Sequence, residues 1–215
     1  MNELDSILEQ ITNNLDLRRF EINKLRRIML RYVDCPLEPT VALMTIPIIY
    51  AQWEGYVKEV CQLYLEHIES AVSCCKDLQP AIIGYLWTPM LRLLTSGLNI
   101  ERKKMVAEKA INSLTEPVAF AEAEKAIETK SNLNFAVLKD IADSLCLDIA
   151  HLIRWKNHLD ALVNLRNNIA HGSRPRALKY EEFDIHASAT IQLMENFEKI
   201  IISALFSKSF CRFSN

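Results

Sequence analysis

Arg166 and His171 are the side chains whose types and spacing most readily do chemistry in this sequence. They bracket the segment Arg166-Asn167-Asn168-Ile169-Ala170-His171, at the end of an apolar-periodic stretch that begins near Asp148 and stops at Gly172. On a helical wheel of about 100° per residue, Leu152, Trp155, Leu159, Leu162, Val163, Ile169 and Ala170 share one face, and Arg166 falls in its middle. A guanidinium cannot shed its charge, and burying it unpaired is costly. Arg166 therefore needs a carboxylate, carbonyl groups or a bound anion, and two readings stay open: an internal ion pair that orders the fold, or a cleft that takes a phosphate. His171 lies one turn after Asn167, so those two side chains share a face, and the long stem of Arg166 lets all three converge at one helix end. Histidine moves protons near neutral pH. Arginine stabilises the charge that builds on a phosphate in flight. Asparagine holds an imidazole or a phosphate oxygen. The set suits attack of an RNA 2′-hydroxyl on its own phosphodiester without a metal ion. A lone histidine at a helix end equally serves the helix dipole.

The rest of the chain must position that segment, and it reads as helices. Of 215 residues, 50% are hydrophobic and 24% charged, enough for a sizeable core. Only four glycines occur, at 55, 84, 97 and 172, which favours long helices with few loops. Leu4, Ile7, Leu8, Ile11, Leu15, Ile22, Leu25, Ile28 and Met29 predict one amphipathic helix over residues 2–32, with a slip near Leu17, broken by Pro36 and Pro39. A second helix is expected from about Thr40 to Ser73 with a bend at Pro47. A third runs from about Pro80 to Thr95, with a kink at Pro89 and a stop at Gly97. Residues 99–114 read as a short charged helix, and 115–132 carry little signal, with a polar, turn-like end at Thr129–Asn132. Helices over about Asn134–Leu145, Asp148–His171 and Tyr180–Phe206 complete an all-α bundle. No repeat or linker divides the chain, so residues 1–215 are expected to form a single domain, with an N-terminal helix in 1–35 and a core bundle in 40–206.

Charge and cysteine content narrow the function classes. The formal net charge is −2, so any grip on nucleic acid must come from a local patch and not from an overall basic surface. Cysteines 35, 61, 74, 75, 146 and 211 include no C-x-x-C pair and mostly lie in apolar helical patterns, which fits a reduced cytoplasmic protein. The acidic, amphipathic N-terminus does not match a secretory signal, and the apolar stretch Val41 to Trp53 is too short to span a bilayer.

Several residues flank the central pair. Glu54 sits at the edge of the apolar face formed by Tyr50, Trp53, Val57, Val60, Cys61 and Tyr64, placed to meet Arg166 on a facing helix. Lys58 lies at i+4 from Glu54, and the simpler reading of the two is a surface pair worth about 0.3–0.5 kcal/mol. Arg174, Arg176 and Lys179 follow the motif as a small basic cluster suited to flanking RNA phosphates, or to a solvated loop. Trp53, Tyr56, Trp87 and Trp155 can stack bases, though aromatics in apolar stripes usually belong to a core. Cys146, His151 and His158 do not fall on one helical face and lack a fourth ligand, so no metal site is expected.

The string R-N-N-I-A-H-G resembles the R-x4-6-H signature of the HEPN superfamily in its R-N-x-x-A-H form. The run from Tyr50 to Lys58 is similar to the early-helix segment of the MAE-like HEPN branch, as are the Thr129–Asn132 turn and the lead-in from Leu162 to Arg166. The resemblance implies a small helical homodimer that pairs two motifs at a shared cleft and cuts RNA without metal or cofactor, often as a toxin or effector in a toxin–antitoxin or phage-defence system. By position it makes Arg166 the phosphate-stabilising cation, His171 the general base or acid, Asn167 the polar residue after the arginine, and Glu54 the acid that orients them. Some such toxins carry a tyrosine two residues after the histidine, modified by a nucleotidyltransferase antitoxin. Here that position is Ser173, which points to an antitoxin that acts by binding alone. The rival expectation is a non-catalytic HEPN module that binds a partner protein or nucleotide, with Arg166–Glu54 a structural pair; a plain helical scaffold is the third.

Overall fold

The helix-period patterns of the sequence become long helices wrapped around one of their number. The computed structural model describes residues 3–88, 100–121, 125, 127–173 and 176–212. Its α-helices are α1 (Glu3–Leu30), α2 (Glu38–Ala71), α3 (Pro80–Leu86), α4 (Ile100–Ser113), α5 (Phe135–Ser144), α6 (Lys156–Ala170) and α7 (Tyr180–Ser207). Among the described residues the only β pairing is an isolated bridge between Leu78 and Cys211. The protein is all-α, as its scarcity of glycine implies.

Helix α2 is the centre. Its Ile46, Ile49, Trp53, Tyr56, Val57, Val60, Cys61, Tyr64 and Leu65 are all fully buried, a ring of apolar contact that a helix shows only when neighbours cover it on most sides. Helices α1 and α7 lie along α2 and along each other, and α6 crosses it. Trp53 meets Phe197 of α7 edge to face, with ring centroids 6.1 Å apart. Pro47 lies inside α2, which continues through it. The predicted slip in α1 is visible in its packing: Ile7, Ile11, Leu15, Ile22, Leu25 and Met29 are buried, whereas Leu17 and Phe20 turn outward. Ile28, expected in the stripe, is also exposed. Gly55 leaves room for the Arg18 side chain of α1 to lie over α2. A Cβ there would stand 2.9 Å from the Arg18 guanidinium, which reaches past it to Gln52 and Glu59.

One departure from the sequence reading has a local cause. The stretch expected to be one helix from Asp148 opens instead as a 3₁₀ helix over Ala150–Trp155 and becomes α-helical only at Lys156. The Asp148 carboxylate accepts the Ala150 N–H at 2.9 Å, a local side-chain-to-backbone bond that favours a tight turn at this entry. Helix α3 is described only to Leu86. The expected continuation to Thr95, with Pro89 and Gly97, lies outside the described residues. Helix α5 begins where the sequence placed it, with the Asn134 side chain accepting the Val137 N–H.

The buried Glu38 ties three segments together. One carboxylate oxygen accepts the Asp34 N–H at 3.2 Å in the α1–α2 turn, and the other accepts the Tyr180 N–H at 2.8 Å at the start of α7. A carboxylate at a helix N-terminus is favoured by the exposed amides and the dipole there. Glu38→Ala leaves both amides without an acceptor, which costs about 1–3 kcal/mol. The thermal midpoint is expected to fall by roughly 2–10 °C, measured by circular dichroism; an unchanged midpoint would show that water replaces the carboxylate.

Two histidines make stability sensitive to mild acid. Burial lowers the pKa of His67, which packs edge to face on Phe210 at 5.9 Å, and burial followed by the charge of His158 lowers that of His186. Their ordinary value is 6.5. Below it the unfolded chain binds protons that the folded chain resists, so stability present above pH 6.5 is lost as pH falls toward the depressed folded values. Urea unfolding should show a lower midpoint at about pH 5.5 than at about pH 7.5, with a smaller difference in the double variant His67→Gln, His186→Gln.

Candidate active site at the end of α6

The site forms where the last turns of α6 cross α2 and a loop, residues 129–133, passes over both. Leu159, Leu162 and Val163 bury the inner face of α6. Arg166 continues that face one turn on, but at the edge of the core, where it is half-buried. Its guanidinium carbon stands 4.4 Å from the centroid of the Tyr50 ring, and Nη1 donates to Asn167 Oδ1 at 2.7 Å. Asn167 Nδ2 in turn donates to Asn132 Oδ1 at 3.0 Å. The chain Arg166–Asn167–Asn132 thus links α6 to the loop.

Tyr50 is the floor of the site. Fully buried in α2, it accepts the Leu133 N–H on its hydroxyl at 2.8 Å, and Leu133 C=O accepts from the Trp53 indole at 3.4 Å. Burial pushes the Tyr50 phenol above its ordinary pKa, and the nearby Glu54 carboxylate adds to the shift while Arg166 opposes it. The phenol therefore remains a neutral hydrogen-bonding group at physiological pH. Sequence reasoning assigned Tyr50, Thr129 and Asn132 no role. The available signal was the placement of Tyr50 one helical turn before Glu54.

Glu54 has partners other than Arg166. Its carboxylate accepts the hydroxyl of the buried Thr129 and pairs with Lys58 Nζ at 3.2 Å. Among the described residues no carboxylate is paired with Arg166, so the expected Arg166–Glu54 ion pair is absent and Arg166 packs on the Tyr50 ring instead. Thr129 competes successfully because its hydroxyl is fixed in a turn, whereas Arg166 gains a ring face without dehydrating a carboxylate. The Lys58–Glu54 pair at i+4 is the simpler of the two sequence readings and is present.

His171 caps α6. Its N–H donates to Asn167 C=O at 2.9 Å, Gly172 N–H to Ile169 C=O at 3.1 Å, and Ser173 N–H to Asn168 C=O at 2.9 Å. With Gly172 at φ +71°, this is the Schellman arrangement, in which glycine takes the left-handed position. The His171 side chain is exposed and makes no hydrogen bond to Arg166 or Asn167 among the described residues. The motif's cation and its histidine share a helix end with no hydrogen bond between them among the described residues.

A family model for MAE_28990-like HEPN proteins matches residues 7–210. The chain belongs to this HEPN family. Neither the curated proteins nor the solved structures gave a match.

In this HEPN chain the remaining candidates are scattered around α6. Arg176 is engaged by Glu182, Lys179 is exposed at the start of α7, and its N–H reaches the same carboxylate at 3.3 Å. Arg174 lies outside the described residues. Trp53 and Tyr56 are wholly buried and cannot stack on a nucleobase, and Trp87 and Trp155 are only partly covered. No described helix is long and apolar enough to cross a membrane.

The hydroxyl and ring of Tyr50 can be tested separately. Tyr50→Phe keeps the surface under Arg166 but leaves the Leu133 amide buried without an acceptor, a loss of about 1–3 kcal/mol. Tyr50→Leu should lose a further 0.5–2 kcal/mol or so as the cation–π contact goes. Urea unfolding of both variants checks this. Equal stability of the phenylalanine variant and the native chain would mean the loop amide has another acceptor.

Proposed function

We propose that this HEPN protein is a metal-independent endoribonuclease, acting as a homodimer that pairs two Arg166/His171 motifs at a shared cleft. The observation that carries the reading is Arg166 itself. It is a half-buried cation held by a ring and an asparagine amide, with no carboxylate to neutralise it among the described residues. A guanidinium has five N–H donors, and the one bond to Asn167 leaves the others for a phosphate.

In the proposed reaction the RNA 2′-oxygen attacks the adjacent phosphorus, the bond to the 5′-oxygen breaks, and the products are a 2′,3′-cyclic phosphate and a 5′-hydroxyl. One proton leaves the 2′-hydroxyl and one is delivered to the 5′-oxygen. His171 is exposed where it can reach either oxygen, and Arg166 stabilises the charge on the phosphate between them. Asn167 orients Arg166. Glu54 acts at one remove, by fixing the Thr129 turn. A single imidazole serves one of the two proton transfers at a time, which is the chemical argument for a second copy. Arg174 and Lys179 are assigned flanking positive charge, while Lys58 and Arg176, also candidates from the sequence, contribute less because each has a carboxylate partner. We read the biological role as the toxin or effector of a prokaryotic toxin–antitoxin or phage-defence system in the cytoplasm, restrained by an antitoxin that binds without modifying Ser173.

Cleavage of a mixed RNA pool in EDTA tests this. The native protein should leave 2′,3′-cyclic phosphate ends and His171→Ala should be inactive with an unchanged thermal midpoint. Arg166→Ala should lose about 10²–10³ in rate yet only about 0.5–2 kcal/mol of stability, the worth of its ring contact. Marked unfolding of Arg166→Ala with no cleavage by the native chain would favour the non-catalytic module instead.

A further inference from the structure

The loop over the site adopts a backbone that its residues disfavour. Thr129 to Asn132 form a turn closed by the Asn132 N–H on the Thr129 C=O at 3.0 Å. Both central residues are left-handed, Lys130 at φ 54° and Ser131 at φ 49°. Two successive positive φ values define a type I′ turn, whose central positions normally go to Asn-Gly because a Cβ crowds the following carbonyl there. Here they are Lys-Ser, and strained residues of this kind persist only where their surroundings overdetermine them.

The surroundings do so. Thr129 is bonded to Glu54, Asn132 to Asn167, and Leu133 to Tyr50 and Trp53. Every residue of the loop that grips the protein is on a flank of the turn. The tip, Lys130 and Ser131, is exposed, and Lys130 forms no ion pair with a described residue. Glu54, the acid bonded to the neighbouring Thr129, is also paired with Lys58. A lysine that adds strain and gains no internal contact has its use outside the chain.

We propose that Lys130 is a substrate-binding residue, contacting a phosphate next to the one held by Arg166. This rests on the ribonuclease reading for the identity of the strand. Consecutive Cα atoms are about 3.8 Å apart, so Lys130 lies within two residues of Asn132, whose side chain is 3.0 Å from Asn167. The Lys130 Cα is therefore within about 7.6 Å of that of Asn132, so its long side chain can swing to the Arg166–Asn167 pair from a support fixed at four points. In a chain of net charge −2, binding of a polyanion must rest on such local cations. Lys58 and Arg176, by contrast, have carboxylate partners. Ser131 is a turn residue only.

The experiment uses the full chain, a fluorescent 2′-O-methyl RNA oligonucleotide that cannot be cleaved, and anisotropy across a salt series. Lys130→Asn should raise the thermal midpoint by relieving strain, weaken binding several-fold at low salt, and reduce the slope of log K against log salt by about 0.7, the loss of one phosphate contact on a single strand. Ser131→Gly should raise the midpoint and leave the slope alone. Lys130→Arg should restore it. A stabilised Lys130→Asn protein with the native slope overturns the proposal, as does a native protein that does not bind the oligonucleotide. If His171→Ala cleaves RNA as well as the native protein while Lys130→Asn still lowers the slope, the catalytic assignment fails and the phosphate contact stands.

Discussion

An arginine packed over a tyrosine ring keeps its charge in a way that one paired with a carboxylate does not. Over Tyr50, 4.4 Å away, Arg166 is attracted by the ring quadrupole while its donors remain available. Had Glu54 taken it as a bidentate pair, the field at the end of α6 would be close to neutral and most of the guanidinium's donors would be used. The remaining features of the site serve this placement. The ring must be rigid, so its hydroxyl is held by the Leu133 amide. The guanidinium must not swing away, so Asn167 holds it and is itself held by Asn132. Glu54 must be kept from it, and Thr129 and Lys58 occupy it instead.

That arrangement depends in turn on α2. A helix buried on most of its circumference has little freedom to rotate, because any turn about its axis drives Trp53, Tyr56 and Tyr64 into neighbours packed at crystal-like density. Tyr50 and Glu54 ride on this fixed element, one turn apart, and α6 brings Arg166 across it. Glu38 at the head of α2 performs the matching task for α7 by capping its first amide. The site is thus positioned by core packing at its base and by polar staples at its rim.

Periodicity made the long helices legible, since burial of a stripe every three or four residues leaves a direct trace in the sequence. Gly172 was legible too, because few residues accept the conformation that ends α6. Arg166 stood out as a charge on an apolar face. What it would contact did not, because a cation in such a place accepts a carboxylate or a ring equally well, and the choice of Tyr50 over Glu54 depends on where the Thr129 hydroxyl falls. That loop carries no periodic signal. Its two left-handed residues, Lys130 and Ser131, are types that do not announce a type I′ turn, and the tertiary clamps that enforce it join residues 35 to 83 positions apart. The 3₁₀ entry to α6 was hidden for a related reason, since it turns on one local bond from Asp148.

A chain with a small negative net charge can still present a positive site if its nearby acids are already engaged. Around the end of α6 three acids are engaged in this way. Glu54 is bonded to Thr129 and Lys58. Asp160, one and a half turns before Arg166, is held by Lys156 and by the Phe135 amide. Glu182, across the basic loop, is taken by Arg176 and the Lys179 amide. Arg166 and Lys130 are left as cations without an acidic partner among the described residues. Focusing of this kind depends on the local balance and not on the total, and it removes the objection that the overall charge raises against a nucleic-acid substrate. On the proposed ribonuclease reading, the strand is expected to contact Lys130 at the turn tip and the exposed His171 at the end of α6.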